Sequence, residues 1–367
     1  MCGTVSKDEA VNVTAPAHVY HLKLHAMENS TSLPPQYDYA YVVEYRIEFI
    51  ILSLGIAALL LSIPLLVALI KFIGALSPTY MIIVNILICN VGMEVVETPL
   101  SVGAIMGTTW LQHPIICQIY AFSDFIFLCA SFAYLAMFAI DRYIIYCSRD
   151  HGGKINHYLY SYVMIAVWIM AALWAWLPPL GWGEYVPEPA NFTCSINWQQ
   201  PADVTYVSFL SVYSLLNIAL PLIIATFCVG ACIRKRFWRL SYPAPELFHS
   251  GRDEALMKVC MTLIETHLLS WLPYFAIWFG VVFSGDPRTV HPTLALTAGI
   301  ATRFCHILDP LVCVIADAQV RNVVRKMFTC GKLVAKRPER KIKHITLEEV
   351  KMSLNLQPAE MHPSVLL

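Results

Sequence analysis

Charge is scarce in this chain. Only 14% of its 367 residues are Asp, Glu, Lys or Arg, while 57% are hydrophobic, and the net charge is zero. Composition of that kind argues against a soluble domain and gives no electrostatic footprint for nucleic acid. No internal repeat, low-complexity stretch, metal motif or nucleotide-binding motif is found. The sequence therefore offers no enzyme signature, and a carrier built from internal repeats is disfavoured. The opening "MCGTVSKDEA" has no apolar core, so no cleavable signal peptide is expected. Lysine is also missing from the apolar interior: Lys71 and Lys258 fall near the ends of apolar blocks.

What is present is apolar sequence gathered into blocks. Runs of roughly 20 or more mostly apolar residues read as membrane-crossing helices. Seven are found, at about 47–73, 79–107, 115–146, 159–181, 204–233, 256–284 and 292–316. The expected fold is thus an all-α membrane protein. Its parts are an outer tail (1–45), a seven-helix domain (46–317), a short amphipathic eighth helix (318–330) and a cytoplasmic tail (331–367).

The basic residues set the orientation. With the N-terminus outside, Lys7, Lys23, Arg46 and Arg288 lie on that side, Arg303 lies within the membrane, and the other 20 lie opposite. The positive-inside rule then predicts an extracellular N-terminus and a cytoplasmic tail in a multi-pass plasma-membrane protein. Sequons at Asn12, Asn29 and Asn191 fall outside, with Asn12 and Asn29 the better glycosylation candidates because they lie in a polar tail. Cys117 and Cys194 also fall outside and form a natural disulfide pair. The basic stretch "AQVRNVVRKMFTCGK" reads as an interfacial helix, with Cys330 a palmitoylation candidate at its end. The terminal "SVLL" suits a PDZ groove. The tail is poor in Ser and Thr (Thr329, Thr346, Ser353, Ser364), so limited phosphorylation and weak arrestin recruitment are expected.

Several motifs then fall into one set. The third apolar block ends "AIDRYIIY", with Asp141, Arg142 and Tyr143 at its cytoplasmic edge, 24 residues after Cys117. Trp168 sits in the fourth block and Pro221 in the fifth. "SWLPY" (Ser270 to Tyr274) lies in the sixth and "DPLVC" (Asp309 to Cys313) ends the seventh. Together these resemble the rhodopsin-like G-protein-coupled receptors across roughly residues 45–330. The loop "PPLGWGEYVPEPANFTC" resembles that of the opsin subgroup in the spacing of Gly181, Trp182, Tyr185, Pro187, Glu188 and Cys194. The resemblance implies a photoreceptor-lineage receptor that couples to heterotrimeric G proteins, with that loop folded inward as a plug.

Arg303 is where the chain departs from its relatives. In opsins the residue six before the Asn or Asp of the seventh-helix proline motif is the lysine that carries retinal. Counting back from Asp309 gives Arg303. A Schiff base needs a neutral primary amine, and arginine stays charged and forms no stable imine. Covalent retinal is therefore not expected, and 11-cis retinal would be held only non-covalently.

A charge at mid-membrane costs about 2.5–3.5 kcal/mol on the translocon scale and calls for partners. Glu94 and Glu97, three apart, share a helix face. The resemblance places Asp124 where amine receptors carry their ligand-binding aspartate, places Glu97 near the Schiff-base position, and adds Glu188 of the loop as a candidate counterion. The sharpest expectation is an Arg303 cluster with Asp124 and Glu97. An alternative reading makes Asp124 the anchor of a small cationic amine; Arg303 would compete for it. Tyr120, Phe127, Trp271 and Tyr274 are the candidate pocket residues, although core packing explains such aromatics as well.

The resemblance also predicts an altered switch. Asn90 and Asp309 look exchanged, so an amide and a carboxylate would still face each other. Ser62 and His267 replace the usual Asn and Phe, and Glu265 precedes His267. Val229 and Cys313 stand at the two tyrosine positions that hold the active state. Asp253 can lock Arg142 at rest. Weak or slow G-protein activation is expected.

Overall fold

The computed structural model describes residues 35–72, 77–105, 113–147, 157–188, 193–197, 203–241, 251–285 and 292–329. The sequons, Cys330, the tail and "SVLL" lie outside them. The crossing helices are α1 (Pro35–Phe72), α2 (Thr79–Ile105), α3 (Pro114–Cys147), α4 (His157–Trp176), α5, α6 (Gly251–Ser284) and α7 (Pro292–Ala316). Helix α5 runs as Val204–Ser214, a π turn Leu215–Ala219, and Leu220–Ser241. Among the described residues, seven helices are long and apolar enough to cross a membrane, as expected. Helix α1 starts at Pro35, ahead of the expected entry, while its apolar span is Phe49–Phe72.

The π turn has a local cause. Pro221 has no N–H to give the carbonyl of residue 217, so the ladder must rearrange there. Asn217 uses the slack: its Oδ1 accepts from Cys129 Sγ of α3 at 3.1 Å.

Helix α3 is the central post. It carries the largest buried set, including Phe125, Phe132, Tyr134 and Phe138, and packs against α2, α4, α5 and α6. Helices α1 and α4 instead turn Leu60, Ile169 and Leu173 outward, each more than half exposed. In a bilayer such side chains meet lipid, which is as apolar as they are. Small residues let the helices close. A Cβ on Gly92 of α2 would come within 2.3 Å of the Phe127 ring on α3, so only glycine fits there.

Outside the bundle, β1 (Tyr185–Pro187) and β2 (Cys194–Ile196) form an antiparallel hairpin pairing Tyr185 with Ile196 and Pro187 with Cys194. The expected disulfide joins Cys117 to Cys194, with Cα atoms 5.4 Å apart. Gly181 and Gly183 sit at φ 101° and 105°, a region that disfavours other residues, so the chain turns sharply into the hairpin. Gln118 Nε2 donates to the Tyr185 carbonyl at 2.9 Å and Tyr185 Oη to the Ala175 carbonyl at 3.0 Å. Burial, with the Asp124 charge adding to it, raises the Tyr185 phenol well above its ordinary value, so it stays a donor. The hairpin thus folds inward as the resemblance implied.

At the opposite end α8 (Ala318–Phe328) follows α7, within the expected 318–330. Asp317 caps it: Oδ1 accepts from Gln319 N at 2.7 Å, and Oδ2 accepts from Tyr80 of α2. The described residues up to Arg325 pack as one unit.

Candidate functional site

Arg303 projects from α7 into the bundle, with 4% of its side chain exposed. Two acids of α2 hold it. One guanidinium nitrogen pairs with Glu94 Oε2 and the other with Glu97 Oε2. The spacing of three along α2 puts both carboxylates on the face that meets α7. Glu94 is satisfied further: Thr98 Oγ1 donates to it at 3.2 Å, and His306 Nδ1 lies 2.7 Å from Oε1. Gly55 of α1 makes the room. A Cβ there would lie 2.7 Å from Glu94 Oε2 and 2.6 Å from Thr98 Oγ1.

This corrects the expected partnership. Glu97 is a direct partner, but the other is Glu94, and no Arg303–Asp124 pair forms among the described residues. Asp124 stands instead beside Glu97, lining the same cavity. The reason is geometric: the fork has two usable faces, and the two α2 acids already fill both. Glu188 is also engaged elsewhere. It accepts from Tyr274 Oη and, at 2.8 Å, from Thr193 Oγ1, which binds the hairpin to α6.

A cavity of about 50 Å³ lies beside the cluster. Tyr120, Trp271 and Tyr274 line it as expected, and so do Glu97, Asp124 and Arg303. Phe127 does not. It points toward α2 and α4, seated over Gly92, with its ring 6.0 Å from Trp168. His306 and Gly55 were not foreseen. For His306 the signal is its place three residues after Arg303, on the same helix face.

The relay residues fall as the resemblance implied. Asn90 Nδ2 donates to Asp309 Oδ2 at 2.8 Å, so amide and carboxylate face each other. Thr266 Oγ1 donates to Asp309 Oδ1 at 3.3 Å, and His267 Nε2 lies 3.7 Å from Oδ2. Arg142 is 1% exposed; it pairs with Asp141, takes Thr79 Oγ1 as an acceptor at 2.9 Å, and reaches Asp253 of α6 at 3.7 Å. Tyr160 also donates to Asp141. Tyr143 packs against Phe227 of α5, and Cys313 is buried.

Seven crossing helices, a disulfide-tethered plug and a buried arginine paired with Asp141 and Asp253 define a seven-helix membrane receptor. The chain belongs to the seven-transmembrane receptors of the rhodopsin family, which it matches over residues 48–314. Its relatives are opsins. It is 28% identical to the visual pigment-like receptor peropsin of Mus musculus over 278 residues, 75% of this chain and 82% of that one. It is 24% identical to opsin-5 of Homo sapiens, covering 66% and 70%. It is 23% identical to melanopsin of Rattus norvegicus, covering 81% and 64%. The crystal structure of squid rhodopsin shares the fold, with a TM-score of 0.71 at 22% identity over 90% of this chain and 95% of that one. This is an opsin-type receptor, a class that acts by coupling to heterotrimeric G proteins in a membrane.

Proposed function

We propose that this opsin-type receptor signals to a heterotrimeric G protein without covalently bound retinal. The supporting observation is the commitment of Arg303: at the position of the Schiff-base lysine stands a guanidinium whose two faces are taken by Glu94 and Glu97. It cannot form the imine, and it fixes the space around it with charge. The topology that goes with this reading has the N-terminus outside the plasma membrane and the tail inside. The test is nucleotide exchange on a G protein by receptor-containing membranes, in darkness and after illumination, with and without 11-cis retinal. The same exchange rate in all conditions is expected. A rate that rises with light only when retinal is present would refute the proposal.

A second reading is favoured by Asp124. The objection to a cationic ligand was competition from Arg303, and Arg303 is occupied by the α2 acids. Asp124 faces the cavity instead. A small amine paired with Asp124 suits a cavity of about 50 Å³ better than a long polyene does, so non-covalent retinoid is the weaker alternative. A sub-millimolar primary-amine response that Asp124→Asn abolishes would support it; no response to such amines would remove it.

A further inference from the structure

The cytoplasmic end of the bundle holds a second chemical feature that the receptor reading does not use. Cys147 ends α3, and Cys232 lies near the end of the apolar part of α5. Cys232 is 2% exposed and sits with Tyr146 of α3 and Met257 of α6 in one buried cluster. Cys147, partly exposed, packs against that cluster. Lys235 Nζ donates to the Cys147 carbonyl at 2.8 Å, which ties the last turn of α3 to α5 and holds the pair together. Helices α3 and α5 pack against each other.

We propose that Cys147 and Cys232 form a peroxide-responsive dithiol whose oxidation staples α3 to α5 beside Arg142. In a reducing cytoplasm the pair rests as thiols. The exposed partner reacts first: the Cys147 sulfur attacks hydrogen peroxide, the O–O bond breaks, and a sulfenic acid and one water result. The Cys232 sulfur then attacks the Cys147 sulfur. The S–O bond breaks, and hydroxide leaves as a second water with the Cys232 proton. Two thiols lose two electrons, and one peroxide becomes two waters. An adjacent resolving thiol is what separates a reversible sensor from a cysteine that is simply damaged.

The consequence follows from location. Cys232 touches α3 and α6 side chains at the junction one turn from Arg142, whose partner Asp253 is on α6. A disulfide there fixes α3 against α5 while leaving the pairing of Arg142 with Asp253 in place. Oxidised receptor should therefore activate its G protein less than reduced receptor, and dithiothreitol should reverse the loss.

The experiment uses the purified full-length receptor treated with hydrogen peroxide, followed by alkylation and peptide mass spectrometry. The expected product is a linked peptide joining Cys147 to Cys232, present in wild type and in Cys228→Ser and removed by dithiothreitol. In Cys232→Ser the sulfenic acid has no resolving partner, so a dimedone adduct on Cys147 should rise several-fold above wild type. Surface expression of each variant serves as the folding control, and a Cys147→Ser receptor supplies a second variant that must also lack the link. Absence of the linked peptide in well-expressed wild type overturns the proposal. So does a link through Cys228, or a dimedone adduct equal in wild type and Cys232→Ser. None of these outcomes depends on whether retinal or an amine is the ligand.

Discussion

Arg303 is stable in the membrane interior because two carboxylates meet its two faces. Removing Glu94 strips one face of the guanidinium and takes the partner from His306, and breaking a buried pair on one side typically costs about 3–5 kcal/mol. Glu94→Ala should therefore cut surface expression sharply, and Glu94→Ala combined with Arg303→Leu should recover part of it. Asp124→Ala should be milder, because the guanidinium pairs with Glu94 and Glu97 and not with Asp124. A cell-surface binding assay across the three variants checks the order; equal losses for Glu94→Ala and Asp124→Ala would place the pairing elsewhere. Gly55→Ala probes the same cluster from α1. Its methyl would enter the space of the Glu94 carboxylate, so expression should fall although no charge is touched. The choice between Asp124 and Glu94 was not legible in the sequence. Both are acids on neighbouring helices, and helix rotation, which spacing alone does not fix, decides which one faces α7. Phe127 was misplaced for the same reason: its ring turns toward Gly92 and away from the cavity.

Elements fix the switch. Helices α3 and α6 are joined by Arg142 and Asp253 at 3.7 Å, with Asp253 20% exposed. Such a pair near water contributes about 0.2–1 kcal/mol, so Asp253→Ala should raise basal nucleotide exchange by at most about 5-fold. Exchange measured without ligand checks this, and a much larger rise would show that the lock dominates the resting state. At the other end of the relay, Val229 and Cys313 offer no hydroxyl to hold an active arrangement. Val229→Tyr with Cys313→Tyr should increase exchange over wild type at matched expression; no change would mean that those positions only pack. These residues were readable in advance because their spacing from Cys117, Pro221 and Asp309 is linear along single helices. Contacts such as Tyr80 with Asp317 were not, because they join α2 to the cap of α8 across 237 residues.

The whole molecule is legible at the level that hydropathy and charge control. Apolar blocks longer than a bilayer crossing become helices because an unpaired backbone group in hydrocarbon is too costly to leave. The asymmetry of Lys and Arg then chooses the orientation. If the N-terminus is outside, glycosidase treatment of receptor from cells should lower its apparent mass, and Asn12→Gln with Asn29→Gln should remove most of that shift. A receptor whose mass does not change would leave the orientation resting on charge alone. Sequence could not reveal how the bundle spends its interior space. The plug, the aromatic packing and the ion cluster leave a small cavity beside Arg303, and that outcome depends on several helices at once.

The decisive measurement is a difference spectrum of purified wild type and Arg303→Lys after incubation with 11-cis retinal and acid denaturation. Wild type should yield no trapped protonated Schiff base, while the lysine variant restores the only amine at that position and is where one should form. A bleachable pigment in wild type that survives acid denaturation as a covalent adduct would contradict the reading of Arg303 outright.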